Sequence, residues 1–330
     1  MKPRLDAVAV NDNCSLGLVV TEFVLRGFPQ VRQLELSIFT VCSTIFTFTL
    51  LGNLIIIAIV VTDSCLHTPM YFFLGNLSLL EISFTSAVVP KMLANLLAKR
   101  KTISFSGCIT QCYFYFFLGS TELLLLAVMS IDRYVAICNP LRYVAIMNIR
   151  VCISLALGCW VGGFLLVLLP ILVISQLPYC GPNVINHFFC DSTPLLKLSC
   201  CDIRLIELGD ILLASVLLTG TLLVIMVSYI YIISTVLKIP SAAGRSKAFS
   251  TCASHVTVVT IYYGSATFMH AQPAQSSALE FSKVVAVLIT VVTPFLNPLI
   301  YSLRNEKVKE ALKDMVKWRS ASLRKMEPFV

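Results

Sequence analysis

The chain has 330 residues, of which 57% are hydrophobic and only 13% charged, with a mean hydropathy of +0.87. Soluble domains carry about 25% charged residues, so this composition excludes a soluble fold and indicates a polytopic membrane protein. The net charge of +8 does not mark a nucleic-acid binder, because no Lys/Arg stripe lies along a polar helix.

Residues 1–34 read as a polar tail. Their short apolar stretch at 16–20 is too brief for a signal-peptide core, so the first span is expected to act as the targeting signal. Asn13-Cys14-Ser15 is a glycosylation sequon, usable only if the tail is lumenal. Seven apolar stretches then follow, at 35–61, 70–93, 108–131, 151–174, 209–237, 248–270 and 283–303. Each reaches the roughly 20 residues that a helix needs to cross a bilayer. Irregular backbone cannot face lipid, so the expected fold is all-α, a seven-helix membrane bundle over 35–303. No internal repeat relates the halves, which argues against a transporter built from inverted repeats.

Seven spans put the termini on opposite sides. The segment 304–330 is rich in Lys and Arg, and Lys238, Arg245 and Lys247 lie between spans five and six. Both features fit a cytoplasmic C-tail by the positive-inside rule, while Lys99-Arg100-Lys101 runs against it. Cys108, Cys180, Cys190, Cys200 and Cys201 gather on the other face, where disulfides form. Beyond span seven, apolar residues at 308, 311, 312, 315 and 316 share one face of a 3.6-residue period. With lysines opposite, that segment reads as an amphipathic helix on inner-leaflet lipid.

Charges inside the spans are costly and mark function by default. Asp132-Arg133 closes the third apolar run, either as a switch or as an interfacial anchor whose arginine snorkels to headgroups. Glu122 lies about 16 Å up the helix from Arg133, and Glu81 about 18 Å from the same face on span two. Two buried acids at one depth cannot both ionise cheaply: one holds a proton, or a small cation sits between them. Oxygen-only ligands suit Na⁺, with Asn53 and Asn297 as the nearest polar residues. Pro294 and Pro298 each remove a backbone donor and kink span seven, which suggests a two-state bundle.

Motifs run nearly end to end: Gly52-Asn53, the run from Leu66 to Leu74, Met129 to Cys138, Ser228-Tyr229, Lys247 to His255, and Pro294 to Tyr301 followed by Ser302-Leu303-Arg304-Asn305. In this order and spacing the chain resembles an odorant receptor of the rhodopsin-like G-protein-coupled class, in the tetrapod-type class II branch near its sixth family. The resemblance implies that Asp132, Arg133 and Tyr134 form the inner switch, with Tyr229 and Tyr301 stabilising the open state against the G protein. It implies bridges Cys108–Cys190 and Cys180–Cys200, with Cys201 an alternative to Cys200. It also implies coupling to the olfactory stimulatory G protein, a rise in cyclic AMP, a ciliary plasma-membrane location and dependence on export chaperones. The family usually carries Asp where this chain has Glu81, which crowds a cation site.

Counting outward from Arg133 puts Phe116, Gly119, Ser120 and Leu123 on one face in the outer half of the bundle. The same register adds Leu213, Leu217, Tyr263, Thr267, His270 and Thr290. Such a lining suits a mostly apolar pocket with a few orienting polar groups, and a small, neutral, lipophilic volatile. Tyr115 stands where similar amine receptors carry an acid, which argues against amines. Three other functions compete. A receptor for a peptide or another lipid would lack the runs ending at Leu74 and His255. A transporter or channel would need a polar path to both faces. An enzyme would need chemistry that only His187 and Cys190 hint at, as metal-binding types, and Cys190 is better used in a bridge.

Overall fold

A chain this apolar must satisfy its backbone internally, and helices do so within each segment. The computed structural model describes residues 20–29, 31–179, 182–270, 276–304 and 307–314. Its long helices are α1 Arg32–Thr62, α2 Pro69–Leu97, α3 Phe105–Cys138, α4 Ile149–Gln176, α5 Arg204–Leu237, α6 Ala242–His270 and the composite α7. The last joins Ser276–Val287, a π-helical turn Leu288–Val292 and Thr293–Arg304. Among the described residues, six of the seven are long and apolar enough to cross a membrane. The more polar α6 packs between α5 and α7 all the same.

Local chemistry fixes the helix starts. Ser104 accepts from the Gly107 amide at 3.2 Å to cap α3, and Asn148 accepts from Val151 at 3.1 Å to cap α4. Pro69 begins α2, where its missing N–H costs nothing. In α7 the π-helical turn sits just before Pro294; such turns commonly mark functional sites. A short helix at 307–314 (α8) buries Val308 and Ala311 against the bundle and exposes Lys307 and Lys313. Met315 and Val316, expected on the same face, lie outside the described residues.

The hub is α3, which packs along α2, α4 and α5 and touches α6. Two glycines set the approach of neighbours. A Cβ on Gly52 would stand 3.3 Å from Pro298, where α1 meets α7. A Cβ on Gly163 would collide with the Thr121 hydroxyl and lie 3.0 Å from the Thr121 amide, where α4 meets α3.

The tail holds structure that the sequence reading did not expect. Strand β1 Glu22–Leu25 pairs antiparallel with β2 Thr102–Ser104 and parallel with β3 Val184–Ile185. Phe23, Leu25 and Ile185 are buried against Cys108, Cys190 and Tyr179. Lys101 forms an ion pair with Glu35, and Arg100 with Glu22 at 3.3 Å. Two residues of the basic run that broke the charge rule, Arg100 and Lys101, therefore pair with acids of β1 and α1.

Gly163→Val should overpack the α3–α4 contact and cost about 1–3 kcal/mol. Thermal unfolding of the purified receptor in detergent measures this; an unchanged midpoint would show that α4 can move aside.

Candidate functional site

Glu81 on α2 and Glu122 on α3 are fully buried, with their carboxyl groups in hydrogen-bonding reach of each other. Asn297 of α7 donates from Nδ2 to Glu81 Oε1. Asn53 stands one remove away: its Nδ2 donates to the Thr49 carbonyl at 2.9 Å and the Pro294 carbonyl at 3.3 Å. Glu81 Oε2, Glu122 Oε1 and Asn297 Oδ1 are buried without a hydrogen-bond partner. Three buried oxygens lacking donors present what a proton or a hard cation would satisfy. Among the described residues no three His, Cys, Asp or Glu side chains gather as a metal cluster.

Toward the other end of α3, Asp132 and Arg133 end the apolar run but not the helix. The helix continues past both to Cys138. Asp132 accepts from the Tyr143 hydroxyl at 2.8 Å, whereas Arg133 Nη1 donates to Met70 Sδ and its Nε is buried without a partner. Adjacent helical residues diverge by about 100°, so neighbours in sequence point at different partners. Tyr134 is half-buried, its ring 5.7 Å from Tyr231 of α5. The Tyr301 hydroxyl is buried and unpartnered.

His255 lies at the centre of this region, and the sequence reading gave it no role. Its Nδ1 is 2.8 Å from the Tyr229 hydroxyl and its Nε2 is 3.1 Å from the Leu126 carbonyl. A single neutral tautomer serves both, accepting from the phenol and donating to the carbonyl. It joins α5, α6 and α3 at one point. A lone histidine in an apolar span was the available signal.

Nearer the strand end, Phe189 sits 4.5 Å from Tyr115, which stacks on Phe84 at 5.3 Å. The disulfide Cys108–Cys190 is formed, and Cys200 is also disulfide-bonded. Cys180 lies outside the described residues. Gln111 locks the loop down: the Cys190 amide donates to its Oε1 at 3.0 Å, and its Nε2 donates to the Ala87 carbonyl at 3.0 Å. With the Cys190 sulfur committed, His187 and Cys190 cannot serve as a metal-binding pair. His187 is buried against Phe188 and Phe189, and neither of its ring nitrogens makes a hydrogen bond.

Of the expected pocket residues, Leu123, Leu217 and Tyr263 share one apolar cluster with Tyr262. Tyr262 donates to the Gly119 carbonyl at 3.0 Å, and Tyr263 donates to Thr221 Oγ1 at 2.7 Å. Phe116, Ser120 and Leu213 are half-buried, and Thr290 is buried with its hydroxyl on the Ala286 carbonyl at 2.7 Å. Thr267 is exposed beside exposed Phe268 and does not join this group. The His270 side chain and Asn13 lie outside the described residues.

A sequence profile described as olfactory receptor matches residues 42–318. The chain belongs to the olfactory receptor family. It is 57% identical to human olfactory receptor 6J1 over 90% of this chain and 85% of that one. Human olfactory receptor 6S1 is 54% identical, with 89% of each covered, and mouse olfactory receptor 6E1 is 51% identical over 90% and 95%. The fold is similar to the crystal structure of squid rhodopsin, with a TM-score of 0.68 and 20% identity, covering 89% of this chain and 84% of that one. The protein is a multi-pass membrane receptor of the rhodopsin-like architecture, not an enzyme.

Burial, together with the nearby Lys283 charge, holds His187 down at about 3. Between about pH 3 and its unfolded value near 6.5, only the unfolded chain takes up this proton, so stability should fall as pH drops through that window. Asp191 acts oppositely, since burial pushes its carboxyl up to about 6. Comparing His187→Phe with the unmodified receptor isolates the histidine. Unfolding midpoints should show the variant losing less stability from pH 7 to 5, and parallel losses would contradict this.

Proposed function

We propose that this olfactory receptor binds small, neutral, lipophilic volatiles in the half of the bundle near the sheet and signals through the olfactory stimulatory G protein, raising cyclic AMP. The observation that carries the reading is the pairing of two features along α3. One is an apolar, tyrosine-edged cluster around Gly119, Leu123, Leu217 and Tyr263. The other is the Arg133 region, joined through His255 to α5 and α6. Phe116, Ser120, Leu213, Thr290 and His270 complete the proposed lining, by helical register.

The sheet end is the extracellular one in this reading, since that is where a disulfide-bonded loop forms. Asn13 would then be glycosylated, Cys180 would pair with Cys200, and α8 would lie on inner-leaflet lipid. A ciliary membrane and dependence on export chaperones complete this reading. Glu81, Glu122 and Asn297 offer three unpartnered buried oxygens, and these residues would hold a Na⁺ ion, with Asn53 behind them. A bound Na⁺ supplies charge compensation there; a shared proton is the second arrangement the same oxygens support.

Asp132, Arg133 and Tyr134 form the switch in this reading, with Tyr229 and Tyr301 closing on Arg133 when the inner end opens. Arg133→Ala, matched for surface level, should abolish the cyclic AMP response to any volatile that activates the unmodified receptor. The assay uses cells carrying the olfactory G protein and export chaperones. An equal response from the variant would overturn the switch assignment, and silence of a surface-verified receptor to a broad panel would count against the volatile ligand.

A further inference from the structure

The joint between α4 and α5 is the loosest between consecutive helices of the bundle: both lean on α3, yet they scarcely approach each other. On α5, a Cβ added at Gly209 or Gly220 would meet no atom within 4 Å. Segments with few buried contacts open at the lowest cost. The floor of this seam is α3, where half-buried Phe116 packs in the cluster of Val167 and Ile171 from α4 and Ile206 from α5. Phe116 also packs against the cluster of Tyr115 and Phe189, so it links the seam to the bundle interior. Gly220 adjoins Thr221, the partner of Tyr263, and so lies level with the proposed pocket.

The sheet end is shut among the described residues. Phe23 and Phe189 are fully buried, β1 is held between two strands, and the loop is fixed by the disulfide and by both bonds of Gln111. Entry there would require parting Phe189 from Tyr115 against those ties. We propose that the α4–α5 seam is a lateral portal through which a small neutral lipophilic molecule passes from the bilayer, past Phe116, into the bundle. The inference deepens the reading of the bundle as an odorant site and rests on it. The chemistry suits such a path: the molecule is already in hydrocarbon, and the seam asks it to shed no water. A charged ligand would be refused by the same lipid.

The test needs no known agonist. Purified full-length receptor in phosphatidylcholine vesicles is exposed to a medium-chain alcohol bearing a diazirine, irradiated, and mapped by peptide mass spectrometry. Phe116 and Ser120 should be labelled in the unmodified receptor. Gly220→Phe, which fills open space, should lower that labelling rate about tenfold, as a barrier raised by ~1.4 kcal/mol would. Gly158→Phe, at another open glycine on α4, should leave it unchanged. Labelling confined to outward residues such as Leu169 and Leu223, or equal core labelling in Gly220→Phe, would overturn the portal. Failure of the odorant reading shows separately, as silence in the cyclic AMP panel while core labelling persists.

Discussion

Glu122 and Arg133 ride on one helix through a medium that offers them no water, and much of the bundle is arranged around satisfying them. Each ionisable group in hydrocarbon must find a partner or lose its charge. Glu122 meets Glu81, which brings α2 to α3, and Asn297 then ties α7 to the same point. Arg133 turns to Met70 and stands near Tyr229, Tyr301 and His255. The polar groups of α2, α5, α6 and α7 therefore converge on α3 at two heights, and apolar packing fills the space between. Satisfaction is incomplete at both heights, since oxygens of the acid layer, the Tyr301 hydroxyl and Arg133 Nε all lack partners. Buried groups left in that condition are poised for rearrangement, because a second packing can reward them where the first does not.

The sheet end, where His187 also leaves both ring nitrogens unpartnered, is held by more covalent and strand ties. Its strands, disulfide, ion pairs and aromatic stack leave little that can move without breaking several contacts together. An end tied by strands and a disulfide, on the same helices as an end tied by side-chain bonds alone, gives a ligand a fixed wall to press against. That division is the physical basis for reading one end as a recognition surface and the other as a switch.

Much of this was legible in the sequence because membrane insertion writes strong signals. Apolar length marked a seven-helix bundle, and helical rise put Glu81 and Glu122 at one depth. The β1 strand was not legible: Phe23 and Leu25 alternate correctly, but four residues cannot be told from an ordered tail until their partners are known. The partner of Asp132 was hidden for a different reason. Adjacent helical residues point about 100° apart, and the bond to Asp132 comes from Tyr143, in the segment beyond the helix. His255 was visible as a residue type but not as a junction, since its partners come from α3 and α5, far away in the chain. Thr267 shared a register with pocket residues, yet register cannot say where a helix leaves the packed part of the bundle.

In the proposed reading, α6 is the element that links the two ends. It is the most polar of the seven, and it places those polar groups in two sets. Tyr262 and Tyr263 bond to α3 and α5 beside the apolar cluster, and His255 bonds to the same two helices nearer Arg133. Ser254 adds a bond to the Ile300 carbonyl of α7 at 3.3 Å. A ligand lodged against Tyr262 or Tyr263 competes with the upper bonds. It can shift the bundle only by as much as it binds the two arrangements differently. Upper and lower bonds hang on one helix, so in the proposed reading loosening the first set would lower the cost of breaking the second, and releasing His255 would free Tyr229 to turn toward Arg133. The energy of each such bond is only about 1 kcal/mol, which suits a receptor that must be tipped by a small molecule making few polar contacts of its own.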